Sequence, residues 1–211
     1  MNNLNKIIKS KQLHYFKNGW CSIEPELIKI SEDITRTLLD IKLSDCKKNE
    51  KNAGCYSLKQ ELIQKYDVFS KLSSNEVMLN IIESITGRKL KISCFMHMLT
   101  KGKTNSLRWH RDSYLRNKNF VGPMPTVLKL MLINTAVNKS GGPFEVISGS
   151  HAFDINNNFV DKIIPYVFFK KKKTFTSSNR ECILFDGRIL HRRMSSTKNG
   201  FRSATIISLE S

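Results

Sequence analysis

Residues 107–112 read Leu-Arg-Trp-His-Arg-Asp, and the interpretation of the whole chain starts from this segment. The segment has the pattern of a short strand, in which residues i and i+2 point to the same side. His110 and Asp112 can therefore direct an imidazole and a carboxylate toward one point. The pair is a candidate for metal binding, and a hydrogen-bonded His–Asp pair at a strand end is the alternative.

A third metal ligand has to come from elsewhere, and His191 is the best placed of the five histidines. It follows residues 183–187, which read as a strand and a turn, and it lies 81 residues after His110. Two histidines and one carboxylate on a β scaffold form the facial triad of non-haem Fe(II) sites. Three protein ligands leave three octahedral positions for a cosubstrate and O₂.

The charge of such a site predicts its cosubstrate. Fe(II) with one aspartate keeps a net positive charge, so a dicarboxylate such as 2-oxoglutarate fits, and its far carboxylate then needs a cation. Arg202 lies 11 residues after His191 and offers a planar fork that suits bidentate carboxylate binding. Lys129 lies on an earlier predicted strand, where it faces either the cosubstrate or, alternatively, solvent or packed neighbours.

Length and composition restrict the classes of protein that fit. The chain has 211 residues, of which 40% are hydrophobic, enough for one folded domain and too many for a wholly disordered chain. No apolar run reaches the roughly 20 residues of a membrane span, and the N-terminus lacks the pattern of a secretory signal. The five cysteines form no C-x-x-C pair, which argues against a zinc ribbon or a disulfide framework. We therefore expect a soluble, cytoplasmic protein.

The net charge is strongly positive. Lys and Arg number 35 and Asp and Glu 18, which gives +17 at pH 7, and the one dense basic run is Lys170–Lys173. A nucleic-acid footprint produces such a charge. A compositional bias toward Lys, Asn and Ile along the whole chain produces it as well, and we prefer this second interpretation.

Residues 1–88 are predicted to be mainly helical. Apolar residues recur at steps of three and four over residues 23–41, which is the pattern of one helix face. A second helix is predicted over residues 58–72. A third, over residues 73–87, starts with a Ser-x-x-Glu capping box and ends at a glycine.

Residues 89–211 are predicted to form strands separated by turns. Apolar runs, some of them alternating with polar residues, are separated by Gly- and Asn-rich segments. The strand candidates are residues 90–96, 106–110, 126–134, 144–147, 181–185 and 203–209. Several short strands after a run of helices predict an α+β, mainly β fold, a sandwich or barrel backed by helices, in a single domain over residues 1–211.

Several short segments form an ordered set that extends over nearly the whole chain. They read F-K-N-G-W at 16–20, W-H-R-D at 109–112, G-G-P-F-E-V-I-S-G-S-H at 141–151, L-F-D-G-R-I-L-H at 184–191 and F-R-S-A at 201–204. The set resembles the phytanoyl-CoA dioxygenase-like family of Fe(II)/2-oxoglutarate oxygenases. That family has an F-x-x-x-G-[YFW] opening, W-H-x-D, N-G-P-x-x-x-x-P-G-S-H, a distal-histidine strand and a closing arginine strand.

The resemblance implies a double-stranded β-helix, or jelly roll, with N-terminal helices packed on it. It implies Fe(II) bound by His110, Asp112 and His191, and 2-oxoglutarate anchored by Arg202. It also implies hydroxylation of an unactivated C–H bond of a small organic or carrier-linked metabolite, with release of succinate and CO₂. Halogenation is disfavoured because halogenating relatives lack the carboxylate that Asp112 provides.

Two positions depart from the family pattern. Ser148 stands in place of a proline in the turn before His151, for which a structural hydrogen-bonding role is expected. Arg193 stands where the family often has Ser or Thr in contact with the cosubstrate. Arg193 therefore either takes over a carboxylate contact or turns outward.

Two alternatives to a small-molecule oxygenase stay open. One is the same chemistry on a nucleic acid or other polyanion, and the other is a non-catalytic jelly-roll binding protein. The substrate pocket is expected to be lined by loops over residues 101–105, 113–124 and 152–173, while no pattern indicates the substrate or the oligomeric state. Tyr114, Arg116 and Phe120 are candidate pocket residues, and the alternative is that they lie on a solvated loop.

Overall fold

A computed structural model describes residues 3–50, 52–112, 127–152, 158–176 and 180–210. The helices within these ranges are α1 (Asn3–Asn18), α2 (Glu32–Leu39), α3 (Asp67–Ser73), α4 (Glu76–Thr86) and α5 (Asn158–Val167). The strands are β1 (Trp20–Ile23), β2 (Cys46–Lys48), β3 (Cys55–Leu58), β4 (Lys91–Lys101), β5 (Leu128–Ile133), β6 (Phe144–Ile147), β7 (Lys172–Phe175), β8 (Glu181–Asp186), β9 (His191–Arg193) and β10 (Phe201–Glu210).

The strands form two antiparallel sheets that face each other. The large sheet has the strand order β1-β8-β5-β10-β4-β3-β2, and the small sheet has the order β7-β6-β9. One apolar cluster joins them, with Met131 and Phe185 from the large sheet against Phe144 and Val146 from the small sheet. The predicted mainly β jelly roll with N-terminal helices is therefore confirmed.

Side chains of the central strands alternate between the two faces of the large sheet. On β5, Leu128 and Leu132 pack toward the helices, whereas Met131 and Ile133 face the small sheet. This period of two is that of any extended strand. It places Lys129 on the same face as Met131, inside the sandwich.

The first four helices cover the outer face of the large sheet. A second apolar cluster contains Leu38 of α2, Leu72 of α3 and Ile82 of α4 together with Leu130 of β5. Residues of both predicted parts of the chain thus share one cluster. Among the described helices, none combines the length and hydropathy needed to cross a membrane.

The predicted helix over residues 23–41 is wrong in its first half. Residues 20–23 form β1, because their backbone groups pair with β8, far away in the sequence. Pro25 follows in a turn, where its missing N–H costs nothing, unlike in a helix interior. α2 starts after this turn, and the Ser31 hydroxyl caps it by accepting a hydrogen bond from the Ile34 N–H at 3.3 Å.

Residues 1–88 contain the helices α1 to α4, and the strands β1, β2 and β3 in the same part of the chain extend the large sheet. The predicted helix over residues 58–72 reduces to α3, preceded by β3 and by a 3₁₀ helix over Gln60–Lys65. Strand β3 pairs with β4, a contact that local periodicity does not indicate.

The third predicted helix exists but starts later than its capping box suggests. The side chain of Asn75, not of Ser73, accepts the hydrogen bond from the Met78 N–H, at 3.0 Å. The predicted end at Gly87 is confirmed. This glycine caps α4 with a φ of 69°, in the left-handed region that favours glycine, and its N–H donates to the Glu83 carbonyl.

His97 on β4 is fully buried, as the strand pattern indicates, and it makes the fold sensitive to acid. Its Nδ1 lies 2.9 Å from Thr205 Oγ1, and its Nε2 has no partner among the described residues. Burial lowers the pKa of His97 from 6.5 to about 4. Between these values the unfolded chain binds a proton that the folded chain does not, so stability falls as the pH is lowered.

We expect this histidine alone to remove up to roughly 3 kcal/mol of stability between pH 6.5 and pH 4. The urea midpoints of the wild type and of His97→Gln, measured at pH 7 and pH 4.5, check this. The variant should lose less stability than the wild type over this interval. An equal loss in both proteins contradicts the prediction.

Candidate metal centre

The segment before Asp112 lies alongside β9 and extends the small sheet. The Leu107 N–H donates to the Arg193 carbonyl at 2.8 Å. His110 and His191 exchange two backbone hydrogen bonds, at 3.1 and 3.0 Å. The predicted strand at 106–110 is thus an extended segment with one bridge, and this bridge sets the two histidines side by side.

Asp112 completes the group. Its N–H donates to the Gly187 carbonyl at 2.8 Å, which fixes the backbone two residues beyond His110. One ligand atom from each of His110, Asp112 and His191 lies within 4.8 Å of the others. His191 Nε2 is 3.7 Å from Asp112 Oδ1, and the two imidazole centres are 4.3 Å apart. The three residues singled out in the sequence therefore meet at one point.

Both histidines are held in the tautomer that binds metal through Nε2. His110 Nδ1 lies 2.9 Å from the Arg108 carbonyl oxygen, and His191 Nδ1 lies 3.0 Å from the Ile189 carbonyl oxygen. A carbonyl only accepts, so each Nδ1 carries the proton and donates it. Each Nε2 then keeps a lone pair, as in metal-binding histidines whose other nitrogen bonds a backbone carbonyl.

The environment of His191 keeps its imidazole neutral. Burial, with a smaller contribution from the nearby His110, lowers its pKa to about 4, while the Asp112 carboxylate acts in the opposite direction. At neutral pH no proton has to leave this ring before a metal binds. A buried neutral imidazole beside a carboxylate is a suitable pair of ligands for a divalent cation.

A cavity of about 300 Å³ opens beside the three residues, inside the sandwich. Strand residues form most of its walls, and half of the lining residues are apolar, such as Met96, Met131 and Phe185. The prediction that the loops at 101–105 and 152–173 line the pocket is wrong for their described residues, because the cavity lies between the sheets. The candidates Tyr114, Arg116 and Phe120, like the whole of the third loop at 113–124, lie outside the described residues.

Arg202 lies in the cavity wall at the other end of the site. It is buried, its Nη1 donates to the Gly142 carbonyl at 3.4 Å, and its Nη2 lies 3.1 Å from Met131 Sδ. Its Nε has no partner, and no carboxylate pairs with it, among the residues that the structure describes. Burial, together with the nearby Arg193, lowers the pKa of Arg202 to about 10. The guanidinium stays charged and is available for an anion.

Arg193 does not turn outward. It is buried in the cavity wall, with Nη1 donating to Thr104 Oγ1 at 2.6 Å and to the Met194 carbonyl at 2.9 Å. Its Nη2 donates to the Asn105 carbonyl at 2.9 Å. The guanidinium therefore fixes the loop at residues 104–105 while it places a second positive charge near Arg202.

Lys129 is also buried in the cavity wall, so the alternative of a solvent-facing lysine is wrong. Its Nζ donates to Ser208 Oγ at 2.7 Å and lies 3.9 Å from Asp112 Oδ2. Ser208 was missed in the sequence. The signal was available, because Ser208 lies six residues after Arg202 and an even spacing keeps both on one face of β10.

The residue between the two first ligands, Arg111, has a supporting role that the sequence does not indicate. Its Nε donates to Asp161 Oδ1 and Oδ2 on α5, at 3.0 and 3.1 Å. Its Nη1 donates to the carbonyls of Ser150 and Arg188. The partner carboxylate is 50 residues away, so no local pattern predicts it. Arg111 ties α5 to the metal-ligand segment.

Removing this carboxylate should destabilise the protein. Asp161→Asn leaves the buried Arg111 guanidinium without its counter-charge, which costs about 3 kcal/mol when the pair is buried. Urea unfolding measures the loss. The double variant Arg111→Met with Asp161→Leu should recover part of it, since no charge then stays buried. A single variant as stable as the wild type contradicts this account of α5.

His151 has the structural role that was predicted for it. Its Nε2 lies 3.2 Å from the Phe16 carbonyl oxygen and therefore donates to it, which connects the turn to α1. Ser148, in place of the family's proline, accepts a hydrogen bond from Trp20 Nε1 at 2.9 Å. Neither residue belongs to the group around His110.

No family model and no curated protein matches this sequence. Solved structures match its fold. The non-heme alpha-ketoglutarate-dependent epimerase SnoN from nogalamycin biosynthesis superposes with a TM-score of 0.74 at 12% identity, over 98% of this chain and 81% of that chain. This chain shares the fold of iron- and 2-oxoglutarate-dependent enzymes.

Two further structures support this assignment of the fold. HygX from Streptomyces hygroscopicus, crystallised with nickel and 2-oxoglutarate, has a TM-score of 0.72 at 11% identity, over 96% of this chain and 86% of that chain. EctD from S. alaskensis, with bound Fe, has a TM-score of 0.69 at 13% identity, over 96% and 76% of the two chains. At these identities the likeness concerns the fold, and the chemistry has to be argued from the residues of this chain.

Proposed function

We propose that this protein is an Fe(II)- and 2-oxoglutarate-dependent oxygenase of the phytanoyl-CoA dioxygenase-like type, with one domain over residues 1–211. One observation carries the proposal. Three ligand atoms of His110, Asp112 and His191 lie within 4.8 Å of one another, with each histidine Nδ1 bonded to a carbonyl. A hydrogen-bonded His–Asp pair without a metal role requires neither the second histidine nor this shared tautomer.

The residues fit Fe(II) and 2-oxoglutarate by their chemistry. Two imidazoles and one carboxylate form the facial set that non-haem Fe(II) oxygenases use, and a soft Cys ligand is absent from the described group. The buried guanidinium of Arg202 suits the far carboxylate of a dicarboxylate, since its fork makes charge-assisted hydrogen bonds. When bound, iron and 2-oxoglutarate together supply O₂ activation coupled to release of succinate and CO₂.

The chain itself contributes positioning and exclusion of water. His110, Asp112 and His191 would hold the metal, and all three line the cavity. Arg202 anchors the cosubstrate, and Arg193 adds positive charge beside it while fixing the loop at 104–105. The apolar wall of the cavity limits the access of water to the reacting groups.

We propose hydroxylation of a C–H bond of a small organic or carrier-linked molecule as the outcome. Asp112 supplies the carboxylate ligand, so no ligand position is left for a halide in its place. The structures of similar fold include enzymes described as an epimerase and a carbocyclase, so the fold is compatible with several outcomes. A small substrate fits a cavity of about 300 Å³.

A polyanionic substrate receives less support. Lys170–Lys173 are exposed, and none of them lines the cavity that contains the metal centre. We attribute their charge to composition. If oligonucleotide affinity fell steeply with salt and oligonucleotides stimulated turnover of 2-oxoglutarate, the nucleic-acid alternative would replace the small-molecule one.

Conversion of 2-oxoglutarate to succinate tests the proposed function. The purified protein, supplied with Fe(II), ascorbate, O₂ and 2-oxoglutarate, should release succinate slowly without a substrate and faster with an accepted one. The His191→Ala variant should release none above the rate of free iron. Failure of the wild type to exceed that rate, with a panel of candidate substrates present, favours a non-catalytic binding protein.

A further inference from the structure

The cavity contains more positive than negative side chains. Lys129, Arg193 and Arg202 line it as cations, whereas Asp112 and Glu210 line it as carboxylates. Counted over these lysine, arginine and carboxylate side chains, the described wall has an excess of one positive charge. Burying an unmatched charge is costly, so an excess of this kind indicates an anionic ligand.

Among the described residues, charged side chains near the cavity do not cancel the excess positive charge of its wall. Three arginines near the cavity are paired with carboxylates, Arg111 with Asp161, Arg188 with Asp186 and Arg192 with Glu145. In the sequence, residues 113–126 include Arg116 and Lys118 and no acidic residue. Residues 153–157, also outside the described ranges, contain one acidic residue, Asp154, so the two segments together bring no net negative charge.

Binding of the metal and the cosubstrate would leave the net charge of the cavity unchanged. This step rests on the proposed function. A ferrous ion carries two positive charges and 2-oxoglutarate two negative charges, so together they add nothing. The excess of one positive charge persists in the loaded site, and the remaining partner in the reaction is the substrate.

The unmatched positive charge of the cavity lies at Lys129. Arg193 already donates to three oxygen atoms, and Arg202 is matched by the cosubstrate. Lys129 has one close hydrogen bond, to Ser208 Oγ at 2.7 Å, and its nearest carboxylate oxygen, of Asp112, is 3.9 Å away. An ammonium group has three donors, so donors are left for a ligand in the cavity.

The position of Lys129 separates it from Arg202. Lys129 pairs in register with Ser208, which lies six residues after Arg202 on β10. At about 3.3 Å per residue, the two backbone positions are roughly 20 Å apart along the strand. The wall beside Ser208 is polar as well, because Cys94 Sγ lies 3.2 Å from Ser208 Oγ. The cavity therefore has two anion-binding ends.

We propose that the substrate of this enzyme is a small organic acid or phosphate ester, and that Lys129 with Ser208 binds its anionic group. This assigns Lys129 to the substrate, not to the cosubstrate carboxylate considered from the sequence. The ammonium lies close to Asp112, so it holds the substrate next to the metal position. Lys129 is a substrate-positioning residue and takes no part in the redox step.

Binding of simple anions to the Mn(II)-loaded protein tests the inference without turnover. The probes are butyrate and propyl phosphate, with butyramide as the uncharged and butylamine as the cationic control. Mn(II) is paramagnetic, so the relaxation of probe protons in NMR reports binding near the metal. With 2-oxoglutarate present, one or both anions should bind at least about 30-fold more tightly than butyramide.

Three variants test whether Lys129 causes the preference for anions. Lys129→Met should remove the preference for anions, Lys129→Arg should keep part of it, and Lys47→Met on the exposed strand β2 should leave it intact. The dissociation constant of 2-oxoglutarate should change less than about threefold in Lys129→Met. The relative affinities of the two anions identify a carboxylate or a phosphate as the preferred group.

Each contrary outcome has a separate meaning. Equal binding of butyrate, propyl phosphate and butyramide overturns the inference and leaves the proposed oxygenase standing. A loss of 2-oxoglutarate affinity in Lys129→Met as large as the loss of anion affinity also overturns it, because Lys129 then serves the cosubstrate. A wild type that binds neither Mn(II) nor 2-oxoglutarate overturns both. Thermal midpoints within a few degrees of the wild type establish that the variants are folded.

Discussion

Replacing His110 or Asp112 by alanine is expected to abolish the Fe(II)-dependent formation of succinate. Each change removes one of the three proposed metal ligands, whose atoms lie within 4.8 Å of one another. Changes in the partners that only orient metal ligands cost 10- to 100-fold, so loss of a ligand itself should lower the rate by more than about 100-fold. Succinate release at saturating 2-oxoglutarate measures the effect.

The controls are residues of the same types that lie away from the cavity. His14→Ala and Asp33→Ala change one histidine and one exposed aspartate on helices α1 and α2. Both variants should keep the wild-type rate. Robust turnover in His110→Ala and Asp112→Ala, under conditions where the wild type is active, contradicts the assignment of the metal ligands.

Replacing Arg202 by methionine is expected to act on the cosubstrate and not on the metal. Truncating one partner of a buried, charged hydrogen-bonded pair costs about 2–5 kcal/mol. The KM for 2-oxoglutarate should therefore rise by at least about 30-fold, with kcat changed much less. The KM of Arg202→Lys should lie between those of the wild type and of Arg202→Met, because an ammonium group keeps the charge but lacks the planar, bidentate geometry of a guanidinium.

The same variant should not lose stability in the absence of 2-oxoglutarate. Arg202 is buried, and no carboxylate pairs with it among the described residues, so methionine removes an unmatched charge. Replacing a buried ion by an apolar group of similar volume is often neutral or stabilising. An unchanged KM, or a collapse of thermal stability with no specific effect on KM, contradicts the role of Arg202. Arg36→Met, on an exposed surface, is the matched control.

The candidate metal centre could be predicted from the sequence in part, because the placement of His110 and Asp112 is local. The spacing of His110 and Asp112 places both on one side of an extended segment, and His191 follows a strongly apolar strand. What the sequence did not show is why the two histidines are adjacent. Their reciprocal backbone bridge joins positions 81 residues apart.

The parts that were predicted wrongly depend on contacts between distant segments. Ile23 has apolar neighbours at helical spacing, yet it ends strand β1 because β8 offers backbone partners. The sequence around Lys129 does not distinguish it from other lysines in strands. Only the strand register places it opposite Ser208. The pairing of Arg111 with Asp161 likewise depends on how α5 packs, which no short pattern specifies.

The sequence resemblance to a family and the geometry of the site are independent observations, and they differ at one position. The family pattern proposes Ser or Thr at the position of Arg193. The structure instead places there a buried guanidinium that holds residues 104–105. A second arginine beside Arg202 raises the positive charge of the cavity, which favours an anionic substrate.

Anaerobic titration with Fe(II) in the presence of 2-oxoglutarate tests the central claim most directly. If His110, Asp112 and His191 form an iron site that 2-oxoglutarate completes, a metal-to-ligand charge-transfer band should grow until one iron is bound per chain. The band should require 2-oxoglutarate and should be absent in Asp112→Ala. No band in the wild type, or an equal band in that variant, would show that these residues do not bind iron and 2-oxoglutarate together.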